Sequence, residues 1–123
     1  MKKPFDINER AFEFAIAVLE LTGQIPANRI GNRIADQLIR SGTSIGANLE
    51  EATAASSRAD FVNKVIIALK EARETSFWLR IVQRRNLAAR SSTDLLLQEA
   101  DEIMKILGSI ASKTRRTSKS IIK

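Results

Sequence analysis

The stretch QLIRSGTSIGANLEEA, residues 37–52, decides the fold because a glycine-rich segment lies inside an otherwise helical pattern. Glycine, serine and threonine crowd residues 40–48, as they do in loops that cradle phosphate. Leu38 and Ile45 are nevertheless seven residues apart, which is two helical turns, so the apolar positions stay in phase across the segment. A phosphate loop would break this phase and would follow a buried strand. The spacing therefore predicts one continuous helix.

Two glycines inside a helix need a structural reason, because each costs about 1 kcal/mol relative to alanine. We expect Gly42 and Gly46 to lie within this helix, the second of the chain, either facing another helix at close range or beside a bulge. Either arrangement lets the helix bend or approach a neighbour closely.

Capping residues and apolar spacing predict four helices. Three pairs mark helix starts: Asp6 with Glu9, Ser57 with Asp60, and Ser91 with Asp94. Helices 2 and 3 each extend over about 28 residues, or roughly 42 Å, and short segments join all four. The sequence thus predicts an all-α, antiparallel up-down-up-down four-helix bundle over residues 1–112, followed by a basic, disordered tail over residues 113–123.

Helix 1 carries two apolar stripes where a surface helix needs only one. The first stripe comprises Ile7, Ala11, Phe14, Val18 and Leu21. The second comprises Phe12, Ile16 and Leu19. We expect the first stripe to face the core and the second to contact another subunit.

Helix 3 has a predicted core stripe that consists of Val62, Ile66, Leu69, Ala72, Ser76, Leu79 and Val82 or Gln83. Trp78, the single tryptophan, lies off this stripe. Because large aromatic residues concentrate at interfaces, we expect Trp78 at a subunit interface, with the bundle core and a ligand pocket as alternatives.

The residue types that the chain lacks exclude several kinds of chemistry. It has no cysteine, histidine or tyrosine, so thiolate nucleophiles, imidazole bases and the usual zinc ligands are missing. We interpret carboxylate pairs such as Glu50 with Glu51 as surface charges, since carboxylate-bridged metal sites in bundles also use histidine. We therefore expect no enzyme activity, no cofactor and no metal site.

The N-terminus has no apolar segment typical of a signal peptide, and the apolar runs AIAVL and VIIAL are too short to span a membrane. We expect a cytoplasmic protein with no membrane partner.

The net charge of +6 is concentrated in two places. Residues 73–90 carry five basic side chains and one acidic one, and residues 113–123 carry five basic side chains and no acidic one. Such clusters suit nucleic acid, although a solubilising surface explains the charge alone equally well.

The candidate nucleic-acid-binding residues form two groups. The end of helix 3 and the start of helix 4 supply Lys70, Arg73, Phe77, Arg80, Arg84, Arg85 and Arg90. The tail supplies Lys113, Arg115, Arg116, Lys119 and Lys123. Arginine interleaved with an aromatic residue suits phosphate contact and base stacking. The alternative for the first group is a solvated face on which Glu71 and Glu74 are the ion-pair partners, with Phe77 buried between subunits.

Residues 37–52 and the later stretch FVNKVIIALKEARETSFWLRIV, residues 61–82, together resemble the four-helix-bundle proteins encoded in 23S rRNA intervening sequences. The resemblance covers about residues 7–110 and depends on two motifs in the same order. The first motif, often S-I-P-A-N in the family, is matched by Ser44, Ile45, Ala47 and Asn48, with Gly46 in place of proline. The second is matched by Lys70, Glu71, Ala72, Glu74, Thr75, Trp78 and Leu79, with Phe77 where tyrosine is frequent.

The resemblance implies a four-helix bundle that assembles as a ring-like homopentamer. A related branch, the accessory proteins of diversity-generating retroelements, is basic and pentameric and binds nucleic acid and a reverse transcriptase. No catalytic residues belong to the family pattern. The charge and the resemblance predict a non-enzymatic homo-oligomer, most simply a homopentamer, that presents a basic surface to RNA or DNA. The alternative is an adaptor that docks an element-encoded enzyme such as a reverse transcriptase.

Overall fold

The computed structural model describes the backbone of residues 6–122 and the side chains of residues 6–115. Four α-helices follow one another: α1 (Ile7–Thr22), α2 (Arg29–Thr53), α3 (Arg58–Arg85) and α4 (Arg90–Ile122). No strand occurs among the described residues, so the prediction of an all-α fold is confirmed. With 25 and 28 residues, α2 and α3 are the long central helices that the sequence predicts.

Side-chain caps begin α1 and α3 where the sequence predicts them. The Asp6 carboxylate accepts a hydrogen bond from the Glu9 amide at 3.1 Å, and the Ser57 hydroxyl accepts one from the Asp60 amide at 3.0 Å. The end of α3 is equally well defined, because Asn86 adopts a left-handed conformation with φ of 53°. That conformation cannot continue a helix, so it ends α3 and turns the chain towards α4.

The predicted N-cap of α4 at Ser91 is wrong by two residues, because the helix begins at Arg90 and Ala89 occupies the N-cap position. The reason lies in the preceding turn. The amide of Ala89 donates a hydrogen bond to the side-chain carbonyl of Gln24 at 2.8 Å, and the carbonyl of Ala89 accepts from the Thr93 amide at 3.0 Å. A contact from the α1–α2 connection thus fixes this turn.

Contacts between distant helix ends define the arrangement of the bundle. Asn8 at the start of α1 donates to the Thr53 hydroxyl at the end of α2, at 3.1 Å, so these helices are antiparallel. The short connections make α3 antiparallel to both α2 and α4. Arg10 forms two hydrogen bonds with the Glu99 carboxylate, at 2.7 and 3.0 Å, where α1 packs against α4. The up-down-up-down four-helix bundle is confirmed.

Gly42 and Gly46 lie inside α2 and face α1, as the sequence predicts. A Cβ atom at Gly42 would lie 3.0 Å from Cγ1 of the buried Val18. At Gly46 the nearest atoms belong to Ala11, at 3.7 Å, which is ordinary van der Waals distance. Neither glycine has a positive φ, so space rather than backbone freedom is what favours glycine at position 42, where a Cβ atom would push the Val18 side chain aside.

A pair of fully buried hydroxyl groups joins α2 to α3. The oxygens of Ser41 and Thr75 are 2.9 Å apart, and each also lies near a carbonyl of its own helix, Gln37 at 2.9 Å and Glu71 at 2.8 Å. Each hydroxyl has one proton, so the pair can satisfy both carbonyls, or one carbonyl and the bond between the helices. Only the second arrangement makes a hydrogen bond between the helices; with Thr75 donating to Ser41, this buried polar contact helps to fix the register of α2 against α3.

The core stripe of α3 is rotated relative to the predicted one. Ile66, Leu69 and Ser76 are only partly buried. The buried residues are Val62, Val65, Ala68, Ala72, Thr75, Leu79 and Val82. The prediction favoured the larger apolar side chains, whereas α3 turns small residues inward, where they allow close contact with its neighbours.

The two apolar stripes of α1 point in different directions, as predicted, and the residues that the structure describes leave the second exposed. Ala11, Phe14, Val18 and Leu21 are buried in the core. The second set stays on the outside, with exposed fractions of 59% for Phe12, 38% for Ile16 and 41% for Leu19. We call these three residues the α1 stripe.

α4 continues past the predicted boundary at residue 112. Its backbone is helical as far as Ile122 and so includes most of the segment for which we predict a disordered tail. No end of a helix marks the boundary, and the division of the chain into a bundle and a tail stays a prediction.

Alanine at the two glycines of α2 should have opposite effects. Gly46→Ala gains helix propensity without a clash, and we expect it to raise the free energy of unfolding by about 1 kcal/mol. Gly42→Ala gains the same propensity but presses on Val18, and because overpacking costs about 1–3 kcal/mol, we expect a net loss of up to about 2 kcal/mol. Urea denaturation monitored by circular dichroism measures both.

The double variant Gly42→Ala/Val18→Ala tests the cause. Removing the Val18 methyl groups makes room for the new Cβ, so the two changes together should cost less than the sum of the single changes. Additive losses would contradict the assigned contact.

Candidate functional site

One exposed face of α3 brings together most of the predicted binding residues. Lys70, Arg73, Phe77, Arg80 and Arg84 recur at intervals of three and four residues, and all five side chains are exposed. We call this set the cationic face. It lies on the side of α3 away from the buried residues Ala72, Thr75 and Leu79, and it extends over about 21 Å of the helix.

Arg85 and Arg90 are also exposed and extend the cationic face across the α3–α4 turn. Arg90 lies 3.8 Å from the Asp94 carboxylate, one turn further along α4. Gln83 donates a hydrogen bond to the other oxygen of Asp94 at 2.9 Å, which ties the end of α3 to the start of α4. Arg90 is therefore partly neutralised within the chain.

The acidic neighbours on α3 do not neutralise the cationic face. Glu71 and Glu74 point towards α2, where Arg40 pairs with both; its Nη1 atom lies 3.2 Å from Glu71, and its Nη2 atom contacts Glu74. The alternative in which these two acids pair with the arginines of α3 is therefore not what the structure shows. Within the described part of the chain, none of Lys70, Arg73, Arg80, Arg84 and Arg85 forms an ion pair.

Glu74 also accepts a hydrogen bond from the indole N–H of Trp78, at 3.0 Å. The bonds from Arg40 and then from Trp78 lower the pKa of the Glu74 carboxyl group, and the bond to Glu74 raises the pKa of Arg40. Both effects favour the charged forms, so the network of Arg40, Glu71, Glu74 and Trp78 is held on the α2 side of α3.

Phe77 is 52% exposed in the middle of the cationic face. Its ring meets Trp78 at an interplanar angle of 75°, with the centroids 5.2 Å apart, so the two rings are not stacked in parallel. Beside it, an open cavity of about 480 Å³ is lined by Phe77, Arg80, Ile81, Gln83, Arg84 and Arg85. An apolar ring is thus available to a ligand among unpaired guanidinium groups. The placement of Trp78 at a subunit interface stays a prediction; in the single chain it is half-buried.

Sequence reasoning missed two arginines at the same end of the bundle. Arg29 and Arg33 lie in the first turns of α2, are exposed, and line an open cavity of about 420 Å³ with Ile30 and Ile34. Because α2 and α3 are antiparallel, these turns lie beside the end of α3. The spacing of four residues between Arg29 and Arg33 could have indicated that they share a face. In the net charge of the first half of the chain, however, acidic residues elsewhere cancel them.

The two predicted groups of cations lie on different parts of the fold, the first on α3 and the turn after it and the second towards the end of α4. Lys113 and Arg115 are exposed near the far end of α4, about 38 Å along the helix from Arg90. The side chains of Arg116 and Lys119, and the whole of Lys123, lie outside the described residues. Lys113 and Arg115 are therefore far from the α3–α4 end of the cationic face.

Among the described residues there is no cluster of three or more acidic side chains that could hold a metal ion. In that part of the chain no helix is long and apolar enough to cross a membrane.

The sequence profile of the 23S rRNA-intervening sequence proteins matches residues 3–109. The chain belongs to this family. A solved structure from Bacteroides thetaiotaomicron, described as a protein of unknown function from the S23 ribosomal protein family, is 40% identical, with a TM-score of 0.79. The alignment covers 86% of this chain and 95% of that one. No curated protein matches the chain. Membership in the 23S rRNA-intervening sequence family thus establishes the fold and leaves the function to be argued from the surface.

The fluorescence of Trp78 can report the protonation of Glu74, because the two side chains are hydrogen-bonded and Trp78 is the only tryptophan. Since Arg40 lowers the pKa of Glu74, the bond is intact at neutral pH and is lost only as the pH falls through the lowered value. We expect Trp78 fluorescence to change with a midpoint below 4.5, the ordinary value for this carboxyl group.

The variant Arg40→Gln removes the largest cause of the pKa shift and should move this midpoint upwards, while Arg58→Gln, at the far end of α3, should leave it in place. A wild-type midpoint at or above 4.5 would contradict the assigned network.

Proposed function

We propose that this chain is a non-enzymatic, homo-oligomeric bundle protein of the cytoplasm that presents a basic surface to nucleic acid, RNA or DNA. The observation that supports this most is the cationic face of α3. Its cations have no partner among the described residues, and an exposed aromatic ring lies between them. Unpaired guanidinium groups offer their full charge and their hydrogen-bond donors to phosphate.

The acidic side chains of α4 do not compete with a polyanion for this face. Glu99 pairs with Arg10, Asp94 contacts Arg90, and Lys105 contacts both Asp101 and Glu102. The acidic stretch is thus largely neutralised by its own local partners. The excess positive charge behind the net charge of +6 is therefore found chiefly at the unpaired cations. A polyanion that binds there releases its condensed counterions.

Self-assembly is the second part of the proposal. The α1 stripe leaves three large apolar side chains in solvent along one face of a helix, and a second copy of the chain is the partner that we propose for it. The family resemblance implies five copies. Each copy would add its own charge of +6, so the fields of the copies would sum over one assembly.

Neutralising two central arginines tests the nucleic-acid surface. Each phosphate contact contributes about 0.9 to the slope of log affinity against log salt for duplex DNA and about 0.7 for single strands. We expect Arg80→Gln/Arg84→Gln to reduce the magnitude of the slope by up to about 1.8 or 1.4, respectively. Fluorescence anisotropy over a salt series measures it.

The matched control is Arg58→Gln/Lys64→Gln, which removes the same charge from the other end of α3 and should change the slope less. Failure of the wild-type protein to bind any nucleic acid at low salt would reject the proposed surface.

The α1 stripe is tested separately by size. We expect the wild-type chain to be an oligomer in light scattering coupled to size exclusion, and Ile16→Asp to shift it to smaller species. Its helical circular dichroism should be unchanged, because Ile16 lies outside the core. The control is Leu95→Asp on α4, which is 66% exposed and lies off the stripe. A monomeric wild-type protein would reject the oligomeric part of the proposal.

The adaptor function is the alternative that the α1 stripe also suits, since an apolar stripe can bind a foreign protein such as an element-encoded reverse transcriptase. Affinity purification from the host with and without nuclease separates the two functions. A stoichiometric protein partner that survives nuclease favours the adaptor, and loss of all bound material on nuclease treatment favours the nucleic-acid surface.

A further inference from the structure

We infer that the cationic face of α3 binds single-stranded nucleic acid, with an unstacked base lying on the Phe77 ring and phosphates on either side held by Arg73, Arg80 and Arg84. This inference rests on the proposed function and adds the strandedness of the ligand to it. It depends on the position of one apolar side chain rather than on the total charge.

The position of Phe77 distinguishes this face from a plain basic surface. Along the helix axis it follows Arg73 by about 6 Å and precedes Arg80 by about 4.5 Å. It is 52% exposed, although Phe14 in the core shows that the fold has room for a phenylalanine inside. A ring with unpaired cations before and after it matches the alternation of phosphates and bases along a strand.

A duplex would offer the Phe77 ring no base on which to stack. In a double helix the bases are stacked on one another and only phosphates and groove edges are accessible, so the arginines would bind and Phe77 would not. In a single strand a base can leave its neighbours and stack on an aromatic side chain, which is favourable for every base because each has a π-face. The exposed ring therefore selects for unpaired nucleotides.

A second copy of the chain that docks through the same face is a poor occupant for Phe77. Two copies meeting face to face would bring Lys70, Arg73, Arg80 and Arg84 of each against the same cations of the other. The acidic side chains of α4 that might have balanced them already contact Arg10, Arg90 and Lys105. The unpaired charge around Phe77 favours an anionic partner.

The test compares three probes of equal length: an oligothymidine, an abasic strand with the same phosphates, and a duplex. The variant is Phe77→Leu, which keeps an apolar side chain and removes the aromatic face. The matched control is Phe61→Leu, since Phe61 is a half-buried phenylalanine near the start of the same helix and lies outside both the cationic face and the α1 stripe. Light scattering on both variants checks that the oligomeric state is unchanged.

We expect Phe77→Leu to weaken binding of the oligothymidine by about 5- to 50-fold, the effect of losing one stacked base. Binding of the abasic strand and of the duplex should change by no more than about twofold, since neither offers an unstacked base. Phe61→Leu should change none of the three affinities. In the wild-type protein the oligothymidine should also alter Trp78 fluorescence, because the Trp78 ring lies 5.2 Å from that of Phe77.

The possible failures are distinguishable. If the wild-type protein binds none of the three probes at low salt, the proposed function itself falls. If it binds them but Phe77→Leu weakens all three equally or none of them, the nucleic-acid surface stands and the stacking site is rejected. A change of oligomeric state in Phe77→Leu alone would place the ring between subunits and would also overturn the inference.

Discussion

The close approach of α2 to α1 at Gly42 determines which side chains of α1 the bundle buries and which it exposes. With no Cβ at that position, the Val18 side chain packs directly on the α2 backbone, so one stripe of α1 is committed to the core. α1 packs against α2 and α4 with this stripe, and Phe12 and Ile16 on its other side stay exposed. Their exposure is thus consistent with the way α1 is packed and is not a local irregularity.

The contact between α2 and α3 likewise determines which side of α3 is exposed. The buried Ser41–Thr75 pair fixes the rotation of α3 against α2, and Arg40 then holds Glu71 and Glu74 on the α2 side. Because the acids are engaged there, the opposite edge of α3 is left with cations and Phe77 alone. Two packing contacts, both centred on the glycine-rich segment of α2, therefore determine which side chains the protein offers to partners.

The sequence predicts the fold correctly, but it does not predict correctly which residues of α3 face the core. An in-phase pattern across residues 38–45 predicts a helix whatever its neighbours do, and the number of helices follows from such local signals. The rotation of α3 depends on which partner it meets, and the pattern of large apolar residues pointed to Ile66 and Leu69 instead of Ala68 and Thr75. Likewise the pairing of Arg40 with Glu71 joins residues 31 positions apart, and spacing along one helix cannot reveal it.

The two surfaces that carry the proposals are compatible because of where they lie in the bundle. α1 packs against α2 and α4, and so does α3, which places α1 and α3 at opposite corners. Copies that meet only through their α1 stripes would therefore leave the cationic face of α3 on the outside of the assembly. Had the apolar stripe and the cations shared one helix or adjacent ones, covering the first would have hidden the second or brought like charges together. Their separation allows one chain to combine self-association with a charged surface, and it lets each be removed by substitution without disturbing the other.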